Sequence, residues 1–130
     1  MPDGGNKAPG FARRPDHRVD LSHDKVRVRV TFNGETIADS RDAVAVRETG
    51  YQPVYYLPRA DVRMERLERT QHRSACPFKG EASYWTVRVG DRHAENAVWS
   101  YETPYDEASG IAGRLAFWQG RVDAIEVEPV

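Results

Sequence analysis

Cys76 is the only cysteine in the chain, and it stands in the stretch Ser74-Ala75-Cys76-Pro77-Phe78-Lys79-Gly80-Glu81-Ala82-Ser83-Tyr84-Trp85. Pro77 stiffens the backbone step after it and Gly80 frees the step after Lys79, which marks a loop rather than a core strand. The thiolate is the nucleophilic form of cysteine, and neighbouring cations favour it. Lys79 lies three residues on, Arg73 three residues back, and His72 just before Arg73. Covalent chemistry here would use Cys76 as nucleophile, Lys79 as electrostatic helper and His72 as base. The competing reading makes Cys76 a small buried hydrophobe, the commoner fate of a free cysteine, since apolar burial disfavours the thiolate.

Other chemistries find less in the sequence. Lys79-Gly80 is not a phosphate-binding loop of the Gly-x-x-x-x-Gly-Lys-Ser/Thr kind, because Arg73 stands where the first glycine belongs. A phosphate or carboxylate could still be held by the Lys79 ammonium and nearby amides. Metal ligands would have to come from Cys76, His72, His93, Glu126 and Glu128. Glu126 and Glu128 are two apart and share one strand face, where two carboxylates are usually a wet surface. No metal and no cofactor is expected. The aromatics carry more information: Tyr55/Tyr56 and Tyr84/Trp85 are adjacent pairs that point to opposite strand faces, so not all can be core. A pocket of Tyr56, Tyr84 and Trp99 beside Cys76 and Lys79 would suit a small planar or anionic ligand. Packing by the chain's own tail or by a second copy, as a homodimer, is the rival use of those rings.

The elements that must position these residues read as short strands. Val26, Val28 and Val30 alternate with Arg27, Arg29 and Thr31, giving one buried and one wet face. Asn33-Gly34 is a strong hairpin signal, and Thr36 to Ala38 returns beside the first strand. Strands are predicted again at Ala43 to Arg47, Val54 to Leu57, Tyr84 to Val89, His93 to Tyr101, Leu115 to Trp118 and Ala124 to Glu128. Arg59 to Thr70 reads as one turn near Pro58–Val62 followed by extended chain. A helix is predicted at 104–113, from Pro104 at its entry, Asp106 and Glu107 in the first turn and Gly113 at its exit. The fold class is mostly β: a compact antiparallel β barrel or sandwich of seven to eight short strands with one short helix.

Residues 1–24 contain Pro2, Gly4, Gly5, Pro9, Gly10 and Pro15, and Phe11, Val19 and Leu21 are their only sizeable apolar anchors. Such a segment reads as a flexible N-terminal arm, leaving 25–130 as a single domain. The formal net charge of −1, from 19 basic and 20 acidic residues, supplies no bulk field for nucleic acid or an anionic membrane. One cysteine excludes an internal disulfide and a multi-cysteine zinc site. No apolar run approaches the ~18 residues of a spanning helix. A soluble, cytoplasmic protein is the expectation.

Cys76-Pro77-Phe78-Lys79-Gly80 followed by Ala82 and Tyr84 resembles the central motif of the DUF427 family of small bacterial and fungal domains. Gly34 to Ser40, Tyr55 to Val62 and Ala97 to Glu102 agree with it in the same order, so the resemblance covers roughly Val26 to Val127. It implies a mostly β domain. The family's nucleotidyltransferase-like label would call for metal-binding acids, and Glu126/Glu128 is the best stand-in, without the Gly-Ser entry of such enzymes. The sequence therefore supports a small-molecule pocket around Cys76 and Lys79, with catalysis left open; the alternative is a non-catalytic interaction or ligand-sensing module.

Overall fold

The computed structural model describes residues 6–130, so the first five residues of the N-terminal arm lie outside the described residues. Ten strands run in chain order: β1 (Val19–His23), β2 (Val26–Phe32), β3 (Glu35–Ser40), β4 (Val44–Glu48), β5 (Val54–Tyr56), β6 (Leu67–Cys76), β7 (Gly80–Val89), β8 (Arg92–Ser100), β9 (Ala116–Phe117) and β10 (Ala124–Pro129). They form three antiparallel sheets, ordered β1-β4-β5, β10-β2-β3 and β6-β7-β8-β9. The result is sandwich-like and mostly β, without a closed barrel. Two strands beyond the predicted number are β1 and β6, both in charged or polar sequence where alternation is weak.

Period-two patterning accounts for two cores on opposite faces of β7 and β8. Trp85, Val87 and Val98 face the first core with Val28, Val30, Phe32, Ile37 and Leu57. Ala82, Tyr84, Trp99 and Tyr101 face the second, with Val44, Val46, Tyr56, Ala108 and Ile111. The end of β5 is split in the same way, since Tyr56 and the next residue, Leu57, go to different cores. An irregularity between Trp85 and Val87 interrupts the β7–β8 register, and Asn96 sits there with a φ of 52°. Its backbone N–H donates to Thr86 Oγ1 (3.3 Å), and Thr70 Oγ1 donates to its side-chain oxygen (2.6 Å). The bulge lets strand β8 present Val98 to one core and Trp99 to the other at the correct places.

The predicted turn at Asn33-Gly34 is present, with φ of 48° and 81°. The helix expected at 104–113 is a 3-10 helix over Asp106–Ile111, kinked at Ala108 and without a side-chain cap. The packed sheet begins earlier than Lys25. Val19, Leu21 and His23 in β1 pair with Glu48, Val46 and Val44 of β4, and Val19 and Leu21 pack on the second core. Before β1, the short helix α1 (Gly10–Arg13) docks by donation from the Gly10 N–H to the Pro77 carbonyl (2.9 Å). Among the described residues no helix is long and apolar enough to cross a membrane.

Candidate functional site

The Cys-Pro-Phe-Lys-Gly stretch is the turn of the β6–β7 hairpin. Lys79 N–H donates to the Cys76 carbonyl (3.3 Å), Cys76 pairs with Gly80, and Gly80 adopts a φ of 123°. Proline after the first turn position and glycine in the left-handed half of the map are what such a turn demands. A side chain at Gly80 is opposed on a second count, because a Cβ there would lie 3.3 Å from Pro104 Cα. The turn therefore explains the motif's Pro and Gly structurally, and leaves Cys76 and Lys79 to be accounted for by what they face.

Both face a cleft of about 450 Å³ at the open end of the second core, lined also by Tyr56, Tyr84, Trp99 and Tyr101. Five of the six residues singled out in the sequence are thus brought together. The sixth, His72, does not line the cleft: it is exposed on β6 with its ring edge-on to Tyr84 at 4.5 Å. Arg73 is also turned away, donating to Ser83 Oγ (2.7 Å) on the other face of β7 from Tyr84. The arrangement of a thiol flanked by Arg73 and His72 is not what the fold builds.

Lys79 has a partner that sequence spacing does not reveal. Its ammonium donates to Glu48 Oε1, with only 9% and 12% of the two side chains exposed. The other Glu48 oxygen is bonded by His17 Nε2 at 2.9 Å. A carboxylate only accepts, so the proton of that bond sits on Nε2. The His17 ring stacks on Phe78 at 3.9 Å and 19°, and Phe11 meets the same ring edge-on at 5.0 Å. The N-terminal segment thus reaches the site through His17. Glu48 ends a strand in which Val44 and Val46 face the core, so the alternation itself puts this carboxylate on the inward face; that was the available signal.

The remaining polarity comes from phenols. Tyr56 Oη accepts from Trp99 Nε1 (3.1 Å), and Tyr84 Oη shares a 2.7 Å bond with Ser74 Oγ. Burial is the main reason the Tyr56 phenol titrates well above its ordinary value, against the opposing bond from Trp99. Burial also pushes Tyr101 far up, followed by the neighbouring Tyr56. Both hydroxyls stay protonated at any physiological pH. Tyr101, 7% exposed, lies with its ring 5.9 Å from Lys79 Nζ, and its hydroxyl has no hydrogen-bond partner among the described residues. No group of three His, Cys, Asp or Glu side chains is placed to hold a metal ion among the described residues; Glu126 lies 3.4 Å and Glu128 3.9 Å from Arg29 Nη2.

The family model described as a domain of unknown function, DUF427, matches residues 20–128. It spans all ten strands except the first residue of β1 and the last of β10. No curated protein matches the chain.

Proposed function

The chain belongs to the DUF427 family, and on that premise we propose that the cleft binds a small, planar, hydrogen-bonding molecule without forming a covalent bond to it. The observation that carries this reading is the Tyr101 hydroxyl, a protonated donor that lines the cleft, stays accessible there and has no hydrogen-bond partner among the described residues. Its ring is held in the second core, so the hydroxyl presents a fixed donor at the wall of the cleft. A ligand acceptor supplies the missing partner. The rings of Tyr56, Tyr84 and Trp99 offer the apolar walls that a flat molecule needs.

Charge argues for a ligand without net charge. Among the described residues, Lys79 and Glu48 are the only charged ones lining the cleft, and each neutralises the other. An anion would have to displace Glu48 from Lys79, leaving a carboxylate in a poorly hydrated place. Catalysis by the Cys76 thiolate has less behind it, since the cations that would favour it are engaged by Glu48 and Ser83.

A thermal-shift screen of neutral heteroaromatic compounds tests the proposal, because a ligand of the native state raises its apparent stability. A hit should perturb tryptophan fluorescence and slow iodoacetamide alkylation of Cys76. Tyr101→Phe removes one hydrogen bond and keeps the ring, so affinity should fall roughly tenfold. Trp99→Leu should weaken binding more than it weakens folding. A hit indifferent to both variants binds elsewhere, and the proposal fails.

A further inference from the structure

A second cavity, of about 340 Å³, adjoins the cleft and is lined by Val28, Val30, Val54, Leu57, Ile125 and Val127 among others. Among the described residues no charged one lines it; its polar side chains are those of Tyr51, Gln52, Tyr55 and Gln119, besides the Trp indoles. Its origin is topological. β5 and β10 are outer strands of two different sheets, and β5 is followed by a single bridge from Leu57 to Leu115. Where the barrel is not closed, the apolar faces of these strands are left lining a groove. Alternation sends Ile125 and Val127 into it, while Glu126 and Glu128 go to the other face beside Arg29.

The two cavities share Tyr51, Gln52, Val54, Trp99 and Trp118. Tyr51 and Trp118 are 70% and 48% exposed, so the divide between the cavities includes surface side chains. The Trp99 indole N–H is already given to Tyr56, and Trp99 therefore offers the groove a ring without a free donor. Val127, at the far side, is 40% exposed. Of the large hydrophobics left exposed among the described residues, only Val130 does not border this groove.

We infer that the molecule bound in the cleft is an amphiphile, with its planar polar head among Lys79, Glu48 and Tyr101 and an aliphatic tail lying in the groove. This rests on the binding reading above. The division of polarity carries it: all the charge and the unpaired hydroxyl are on one side of the Tyr51/Trp118 rim, and uncharged, mainly apolar surface is on the other. A second copy of the chain is a poorer occupant. The β10 edge carries Glu126 and Glu128 and ends in Pro129, which lacks an N–H, and charge and proline on an edge strand discourage pairing between chains.

The test uses the full chain and a series from 4-methylphenol to 4-octylphenol, titrated by tryptophan fluorescence. Affinity should rise roughly three- to fourfold for each methylene buried and then level off as the groove fills. Val127→Arg, at a half-exposed position, should flatten that rise and leave 4-methylphenol binding unchanged. In the unmodified protein, 1-octanol should compete with 4-octylphenol and not with 4-methylphenol, which keeps the test informative if the variant fails to fold. If 4-methylphenol binds but chain length or 1-octanol makes no difference, the tail is not in the groove and this inference is overturned while the cleft reading stands. If no phenol binds, both fall. Self-association that Val127→Arg abolishes, seen by sedimentation, would put a second copy in the groove and overturn the inference as well.

Discussion

Glu48 shows how much one carboxylate can organise. It holds the Lys79 ammonium with one oxygen and His17 with the other, joining the hairpin turn, strand β4 and the N-terminal segment at one point. Removing a member of such a pair leaves the other charge buried, which is the expensive event. Glu48→Gln strands Lys79 and should cost about 3 kcal/mol. Lys79→Met leaves Glu48 bonded to His17 and removes the buried cation, so it should cost about half as much. Urea denaturation of the two variants checks the order; a greater loss in Lys79→Met would mean that His17 does not hold Glu48. Cys76 and Lys79 could be singled out in the sequence because proline and glycine mark a turn around them and their types are rare in combination. Glu48 and His17 were not, because contact across 31 residues is a property of strand pairing and leaves no spacing rule in the sequence.

At the scale of elements, local rules and tertiary context divide the credit. The β2–β3 turn needs only its two residues: Asn33 and Gly34 both take positive φ, and a Cβ at Gly34 would meet nothing within 4 Å. Gly34→Val therefore isolates backbone strain, with an expected loss of about 1–2 kcal/mol, whereas Gly34→Asn should be nearly silent because Asn tolerates this region. Equal melting temperatures for Gly34→Val and the parent chain would remove the turn's role. Strand β6 is the opposite case. Its residues Leu67–Cys76 are mostly exposed and polar, and it exists because β7 supplies a partner; its sequence alone reads only as extended chain. Glu102 ties this sheet to the 3-10 turn at Arg59–Asp61, accepting from Arg69 (2.7 Å), Arg59 (3.0 Å) and Ser83 (2.9 Å). Burial alone would raise its pKa, but the bonds from Arg69 and Ser83 and the Arg69 charge outweigh that, and the net shift is downward from 4.5. The unfolded chain then takes up the proton first, so this stabilisation is present above pH 4.5 and lost as the pH falls through the lower folded value. Glu102→Gln should be less stable than the parent at neutral pH, and the gap should close in acid. A gap that widens below pH 4.5 would reverse the assigned sign.

For the whole molecule the question is where the cooperative unit begins. Composition places the boundary at Lys25, because glycine, proline and charge dominate what precedes it. The period-two pair Val19 and Leu21, alternating with Asp20 and Ser22, was the contrary signal, too short to outweigh that background. Both side chains pack, partly buried, against the second core. Leu21 lies so close to Gly110 that a Cβ there would come within 3.0 Å of Leu21 Cδ2. Ala8 is buried and its N–H donates to Glu107 Oε1 (2.9 Å). A Cβ on Gly10 would meet the Phe78 ring at 2.7 Å and the Pro77 carbonyl at 2.8 Å, so the segment rests directly on the hairpin turn. Truncation to residues 25–130 removes the ladder with β4, uncovers Val44 and Val46 and takes His17 from Glu48. Losing two partly buried aliphatic side chains, a strand ladder and a buried hydrogen bond should together cost more than about 3 kcal/mol. The urea dependence should also become shallower, because less surface remains to be exposed on unfolding. Far-UV circular dichroism and tryptophan fluorescence should report one shared transition in the intact chain, as expected of a unit that includes the arm. A 25–130 fragment with the same unfolding free energy as the whole chain would show that the docked segment adds nothing to folding, and Lys25 would then be the true edge of the domain.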